Sequence, residues 1–192
     1  MITKDRQYRS FDFEMESQEN EMKVKGKPVV FNNTTVIYEF DGVQYKEIID
    51  SKAFDGCDIS DVVLNIDHEG KPAAKTKNGT LTLEVKSDGV YMEADLSKNE
   101  TGRELFEDIQ NRFYEAMSFA FTVAEESYDR LTRTRTILKI KKCFDVSAVT
   151  FPAYANTSIS QRSFFEAEAE NERKLVEADL ELRKRLLLKT YL

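Results

Sequence analysis

A single imidazole, His68, stands between the carboxylates of Asp67 and Glu69, directly after the short apolar run Val62-Val63-Leu64-Asn65-Ile66. The end of a strand holds the backbone still while a side chain reaches solvent, which suits a general base. An ordinary surface histidine with acidic neighbours fits the same residues. Ser118 lies in Met117-Ser-Phe-Ala-Phe-Thr-Val123, where Met117, Phe119, Phe121 and Val123 share one strand face and Ser118, Ala120 and Thr122 the other. Small neighbours on a rigid strand leave room for a nucleophile's approach; a solvent-facing strand serine gives the same pattern. Asp145 shares a strand face with Ser147 and Val149. In so apolar a strand a carboxylate is costly to bury unless it is paired. Orienting an imidazole is one pairing, and an ion pair with Lys141, Lys142 or Arg135 is another.

Other chemistries find less material. One histidine excludes the helical HExxH zinc motif and His-rich metal sites. Cys57 and Cys143, the only cysteines, cannot staple a disulfide scaffold or build a Cys-rich zinc site, and read as reduced structural thiols. No Gly-rich phosphate loop is present, and no cofactor is expected. With 28 Lys+Arg against 35 Asp+Glu, the net charge of −7 argues against a general nucleic-acid binder. The charged start, Met1-Ile-Thr-Lys-Asp-Arg-Gln-Tyr-Arg9, does not read as a signal peptide. No run approaches the ~20 apolar residues that span a bilayer.

The elements that must hold these residues are mostly strands. Runs at 24–31, 36–40, 62–66, 81–86, 90–96, 117–123, 132–140 and 144–151 are β-branched or aromatic and are broken by turn signals, Asp88-Gly89 among them. Thr101-Gly-Arg-Glu104 has capping-box spacing ahead of Leu105, Phe106, Ile109 and Phe113, which predicts a helix ending near 112–115. Arg133, Arg135, Lys139 and Lys141 form a basic stripe, read as a solvated face. From Ser163 on, Gly and Pro are absent and acids (Glu166, Glu168, Glu170, Glu172) precede bases (Arg183, Lys184, Arg185, Lys189). Leu175, Val176, Asp179, Leu182 and Leu186 hold partial helical spacing, an amphipathic stripe with one acid in it, which predicts a solvated terminal helix packed on the body; a partner-docking or cleavable extension is the sharper reading. The expected organisation is a β-rich α+β body at 1–160 and a charged amphipathic helical tail at 161–192. Without a βαβ rhythm, an antiparallel sheet or barrel is favoured.

Six short blocks in order resemble the prohead maturation proteases of tailed bacteriophages, relatives of the herpesvirus assemblin protease. They are Arg9-Ser-Phe-Asp-Phe-Glu14; Val24 to Asn32; Tyr45 to Phe54; Leu64-Asn-Ile-Asp-His68; Met117-Ser-Phe-Ala-Phe121; and Asp145-Val-Ser-Ala-Val-Thr-Phe-Pro-Ala153. The resemblance covers residues 8 to 160. It implies an assemblin-like closed antiparallel β-barrel surrounded by helices. It also implies a serine endopeptidase with Ser118 as nucleophile, His68 as general base and Asp145 as the acid that orients the imidazole. With one histidine, a Ser-His-His triad of the herpesvirus kind is impossible, so the third member is an acid or is absent. Backbone N–H groups near Ser118, or Arg112 through water, are the candidate oxyanion donors. The implied substrates are the major capsid protein with its scaffolding segment, and the chain's own ends, including parts of the first ~15 residues. The implied setting is the assembling procapsid in the host cytoplasm, with no nucleic acid or membrane partner; herpesvirus relatives suggest a homodimer. The competing reading is a non-catalytic scaffold or capsid-binding protein on the same fold, worked by its tail.

Overall fold

The computed structural model describes residues 6–12, 16–18, 21–150 and 159–190. The strands are β1 (Gln7–Asp12), β2 (Glu16–Gln18), β3 (Lys23–Val30), β4 (Thr35–Phe40), β5 (Val43–Ile49), β6 (Val63–Ile66), β7 (Glu69–Lys75), β8 (Leu81–Lys86), β9 (Gly89–Asp95), β10 (Ala116–Asp129) and β11 (Thr134–Val149). Two α-helices follow the same order: α1 (Glu100–Gln110) and α2 (Ile159–Thr190). The expected closure of the last body strand by Phe151-Pro152 lies outside the described residues, as do Phe13 and Glu14 of the first family-like block.

The strands form two sheets. The larger runs β1-β10-β11-β5-β4, with β6 also on β11 and β7 on β6; the smaller runs β2-β3-β9-β8. The two basic and apolar runs expected as separate strands are one strand, β11. Its 16 residues serve two partners on one edge, both parallel: β5 along Thr134–Ile137 and β6 along Asp145–Ala148. The closed antiparallel barrel is therefore not what forms. The large sheet is mixed, and among the described residues β1 pairs only with β10 and β4 only with β5, so its ends stay open. Two helices, among the described residues, do not surround it. Alternation along a strand reports which face is buried; it carries no information about what the end strands meet.

Both sheets and α1 feed one apolar core. It includes Val24, Val29, Val90 and Met92 from the small sheet, Leu64, Phe119, Phe121, Ile137 and Val146 from the large one, and Leu105, Phe106 and Ile109 from α1. The cap of α1 is Asn99, whose side chain accepts from Gly102 N at 2.6 Å, rather than Thr101, which lies inside the helix. The helix ends at Gln110, slightly before the expected 112–115. In the β8–β9 hairpin the turn residues are Ser87 and Asp88. Gly89 is required by a neighbour, because a Cβ there would meet the Val29 carbonyl oxygen at 2.1 Å.

Among the described residues, α2 packs on the body through its first half. Phe165 and Ala169 are buried against Ile37 and Tyr45, while Glu168 and Glu172 meet Arg130 and Arg133. Residues 173–187 are exposed, Leu175 and Val176 among them at 61% and 60%, so the apolar stripe does not dock on this body. No helix among the described residues is long and apolar enough to cross a membrane.

Candidate active site

Register sets the site. Across four adjacent strands, Ser10 on β1, Ser118 on β10, Ser147 on β11 and Asn65 on β6 are successive cross-strand partners. Side chains directly opposite across a sheet share a face. Ser118 therefore lies beside Ser147, and Asp145, two residues earlier on β11, looks to the same side. Ser118, Ser147 and Asp145 are 0%, 0% and 2% exposed, so the serine does not face solvent as an isolated strand serine would.

His68 arrives from the other direction. Ile66 at the end of β6 pairs with Ala148 on β11 and with Glu69 on β7, leaving Asp67 and His68 as a two-residue turn. Both have positive φ, 48° and 65°, the pattern of hairpin turns whose twist matches the strands. Asp and His are among the residues that tolerate this region. The Asp67 backbone N–H donates to Ala148 O at 2.9 Å, and its carboxylate accepts from the Thr150 N–H at 3.2 Å, so the turn is pinned to the end of β11. The imidazole then folds back over Asp145 and Ser118.

The resulting contacts form a chain. Ser118 Oγ is 2.6 Å from His68 Nε2, and His68 Nδ1 is 2.5 Å from Asp145 Oδ1. A carboxylate accepts only, so the neutral ring carries its proton on Nδ1 and presents the Nε2 lone pair to the Ser118 hydroxyl. The Ser118 hydroxyl also lies 2.9 Å from the Arg9 carbonyl oxygen, a second acceptor for the same proton. The Tyr8 ring sits edge-on against the imidazole, with centroids 4.6 Å apart. The His68 side chain keeps 16% exposure and is the group of the three that meets solvent.

Behind β10, Arg9 and Arg135 enclose Glu47. Arg9 Nη2 and Arg135 Nη1 donate to Glu47 Oε2 at 2.6 and 2.7 Å, Arg9 Nε bonds to Oε1, and Arg135 also binds Glu126. Burial pushes the Glu47 carboxyl upward, but the two guanidiniums outweigh it and hold it below the usual carboxylate value. Arg135 is thus 3% exposed, which corrects its place in the solvated basic stripe. Lys139 of that stripe remains exposed, with Glu125 at 2.9 Å. Arg112 turns to solvent, its guanidinium 4.0 Å from Glu115.

Both thiols are poor nucleophiles. Burial raises Cys57 to about 11 and lifts Cys143 well above the ordinary thiol value. Among the described residues, no three His, Cys, Asp or Glu side chains gather as a metal site.

All three residues singled out in the sequence thus meet at hydrogen-bonding distance, the arrangement of an acyl-transfer serine site. Sequence reasoning missed Ser147 as a participant. Its Oγ is 3.0 Å from Asp145 Oδ1 and 3.2 Å from His68 Nδ1; the signal lay in its shared face with Asp145. The family model of the caudovirus prohead serine protease matches residues 10–172 of 192. The chain belongs to that family and is a serine protease of the phage prohead. No curated protein and no solved structure matches it.

Proposed function

We propose that this protease cleaves the major capsid protein at its scaffolding segment within the assembling procapsid, with Ser118, His68 and Asp145 as its catalytic residues. The observation that carries the reading is the Ser118–His68–Asp145 relay at 2.6 and 2.5 Å. Ser118 Oγ attacks the scissile carbonyl carbon as its proton passes to His68 Nε2. The C–N bond then breaks and Nε2 returns that proton to the departing amine, leaving an acyl-enzyme that water hydrolyses by the same route. Asp145 holds the Nδ1–H tautomer and stabilises the transient imidazolium. Ser118 has no exposed surface, so a substrate strand must displace what lies over its hydroxyl. Self-processing belongs to the same proposal, and the exposed residues 173–187 of the tail are an accessible place for it.

Co-expression with the major capsid protein tests the proposal. Wild type shortens the capsid chain, while Ser118→Ala and His68→Ala each leave it intact, because triad losses run roughly 10⁴ to 10⁶ in rate. Cleavage by either variant at the wild-type rate overturns the assignment. Capsid association lost only on tail deletion, with no cleavage by wild type, would favour the binding-protein reading.

A further inference from the structure

We infer that Ser147 is a positioning residue of the relay, one that holds His68 in its Nδ1–H form through a second contact to the imidazole and a first to Asp145. The inference rests on the Ser118–His68–Asp145 reading. Ser147 Oγ, His68 Nδ1 and Asp145 Oδ1 form a closed triangle with sides of 3.2, 2.5 and 3.0 Å. Only two protons serve these three atoms. The carboxylate can only accept, so the Ser147 hydroxyl donates to Oδ1, and the Nδ1–H donates mainly to Oδ1. The Ser147 oxygen, with its proton committed to Asp145, turns a lone pair toward Nδ1–H and becomes its second, longer acceptor.

This arrangement specifies a tautomer. If the ring proton moved to Nε2, Nδ1 would face the Asp145 carboxylate lone pair to lone pair, the Ser147 hydroxyl could serve Nδ1 only by leaving Oδ1, and Nε2 would lose its ability to take the Ser118 proton. The backbone leaves Ser147 little alternative. It is fully buried, it is the cross-strand partner of Ser118 on β10 and of Asn65 on β6, and β11 is held on both edges there. Its hydroxyl sits where a donor to the carboxylate is needed, since a single bond from His68 would otherwise leave a buried aspartate underserved.

The chain's single histidine makes the test clean, because every imidazole resonance belongs to His68. In ¹⁵N-histidine-labelled full-length protein, the neutral imidazole of wild type carries its proton on Nδ1 and none on Nε2. Ser147→Ala mixes the two tautomers, and the rate at which a fluorophosphonate modifies Ser118 falls about 10- to 100-fold, the range of a hydrogen bond to a charged group. Ser147→Thr, which restores a hydroxyl, recovers both readouts. If Ser147→Ala fails to fold, Ser147→Cys, similar in shape but a weak donor and acceptor, gives the same pattern in milder form. A Ser147→Ala or Ser147→Cys protein with the wild-type tautomer and labelling rate overturns the inference and leaves the relay standing. Wild type that is not modified at Ser118 overturns the relay itself.

Discussion

The carbonyl oxygen of Arg9 lies 2.9 Å from the Oγ of Ser118, 109 residues further along the chain. Through this contact the first strand becomes a wall of the candidate active site. β1 pairs along β10 from Gln7↔Phe121 to Asp12↔Ala116, Tyr8 covers the His68 ring, and the Arg9 side chain enters the buried Glu47 cluster behind.

The proposed self-processing near the start of the chain should accordingly fall outside β1. A variant lacking residues 1–5 should label at Ser118 with fluorophosphonate as wild type does, and one lacking residues 1–12 should not label. N-terminal sequencing of aged, active protein should find no new terminus between Gln7 and Asp12.

The Glu47 cluster predicts a steep dependence on a single charge. Removing one member of a buried ion network leaves the others uncompensated, at a cost of about 3–5 kcal/mol. Glu47→Ala should lose stability on this scale in urea unfolding, because Arg9 and Arg135 would each lose a buried carboxylate, Arg135 keeping Glu126. Lys139→Ala, which removes only an exposed pair with Glu125, should change stability by less than about 1 kcal/mol.

Acid should weaken the loop that leads into β6. Ser60 and then Lys142 lower the Asp58 carboxyl to about 2, and Lys75 and Lys77 lower Asp61 to about 2. Both folded values lie below the ordinary carboxylate value of about 3.9. Their stabilisation is therefore present above that value and is lost as pH falls through about 2. Thermal unfolding followed from about pH 5 to about pH 2 should show a falling midpoint. The fall should be smaller in the Asp58→Asn, Asp61→Asn double variant.

In α1, helix propensity and packing give opposite answers at one residue. Alanine is preferred to glycine in a helix by about 1 kcal/mol, but a Cβ at Gly102 would meet the Leu96 carbonyl oxygen at 2.5 Å. Gly102→Ala should therefore destabilise the protein in chemical unfolding. Asn99→Ala should cost about 1 kcal/mol through loss of the cap, whereas Thr101→Ala should cost far less, since Thr101 caps nothing.

Local features were readable from the residues, and non-local ones were not. The strand carrying Ser118 and the face shared by Asp145, Ser147 and Val149 follow from period two, and the structure keeps both. The capping box failed by two residues because the helix already starts at Glu100, capped by Asn99 on Gly102 N, which leaves Thr101 inside the first turn. Asp41-Gly42, with φ of 55° and 74°, makes the β4–β5 hairpin and is as plain a turn signal as Asp88-Gly89. Arg135 looked solvated because a stripe along one strand cannot reveal Glu47 waiting on another. The barrel expectation failed for the same reason at larger scale. Parallel pairing of β5 and β6 on one edge of β11 depends on long connections that leave no local mark. The left-handed turn that aims His68 was hidden too, since Asp67-His68 contains no glycine to announce it.

The most direct test of the account is the site of covalent modification by a fluorophosphonate, read by peptide mass spectrometry on wild type, His68→Ala and Asp145→Asn. The relay predicts one adduct on Ser118 in wild type, none in His68→Ala and a greatly slowed one in Asp145→Asn. An adduct on another serine, or equal labelling of Ser118 without His68, would contradict it.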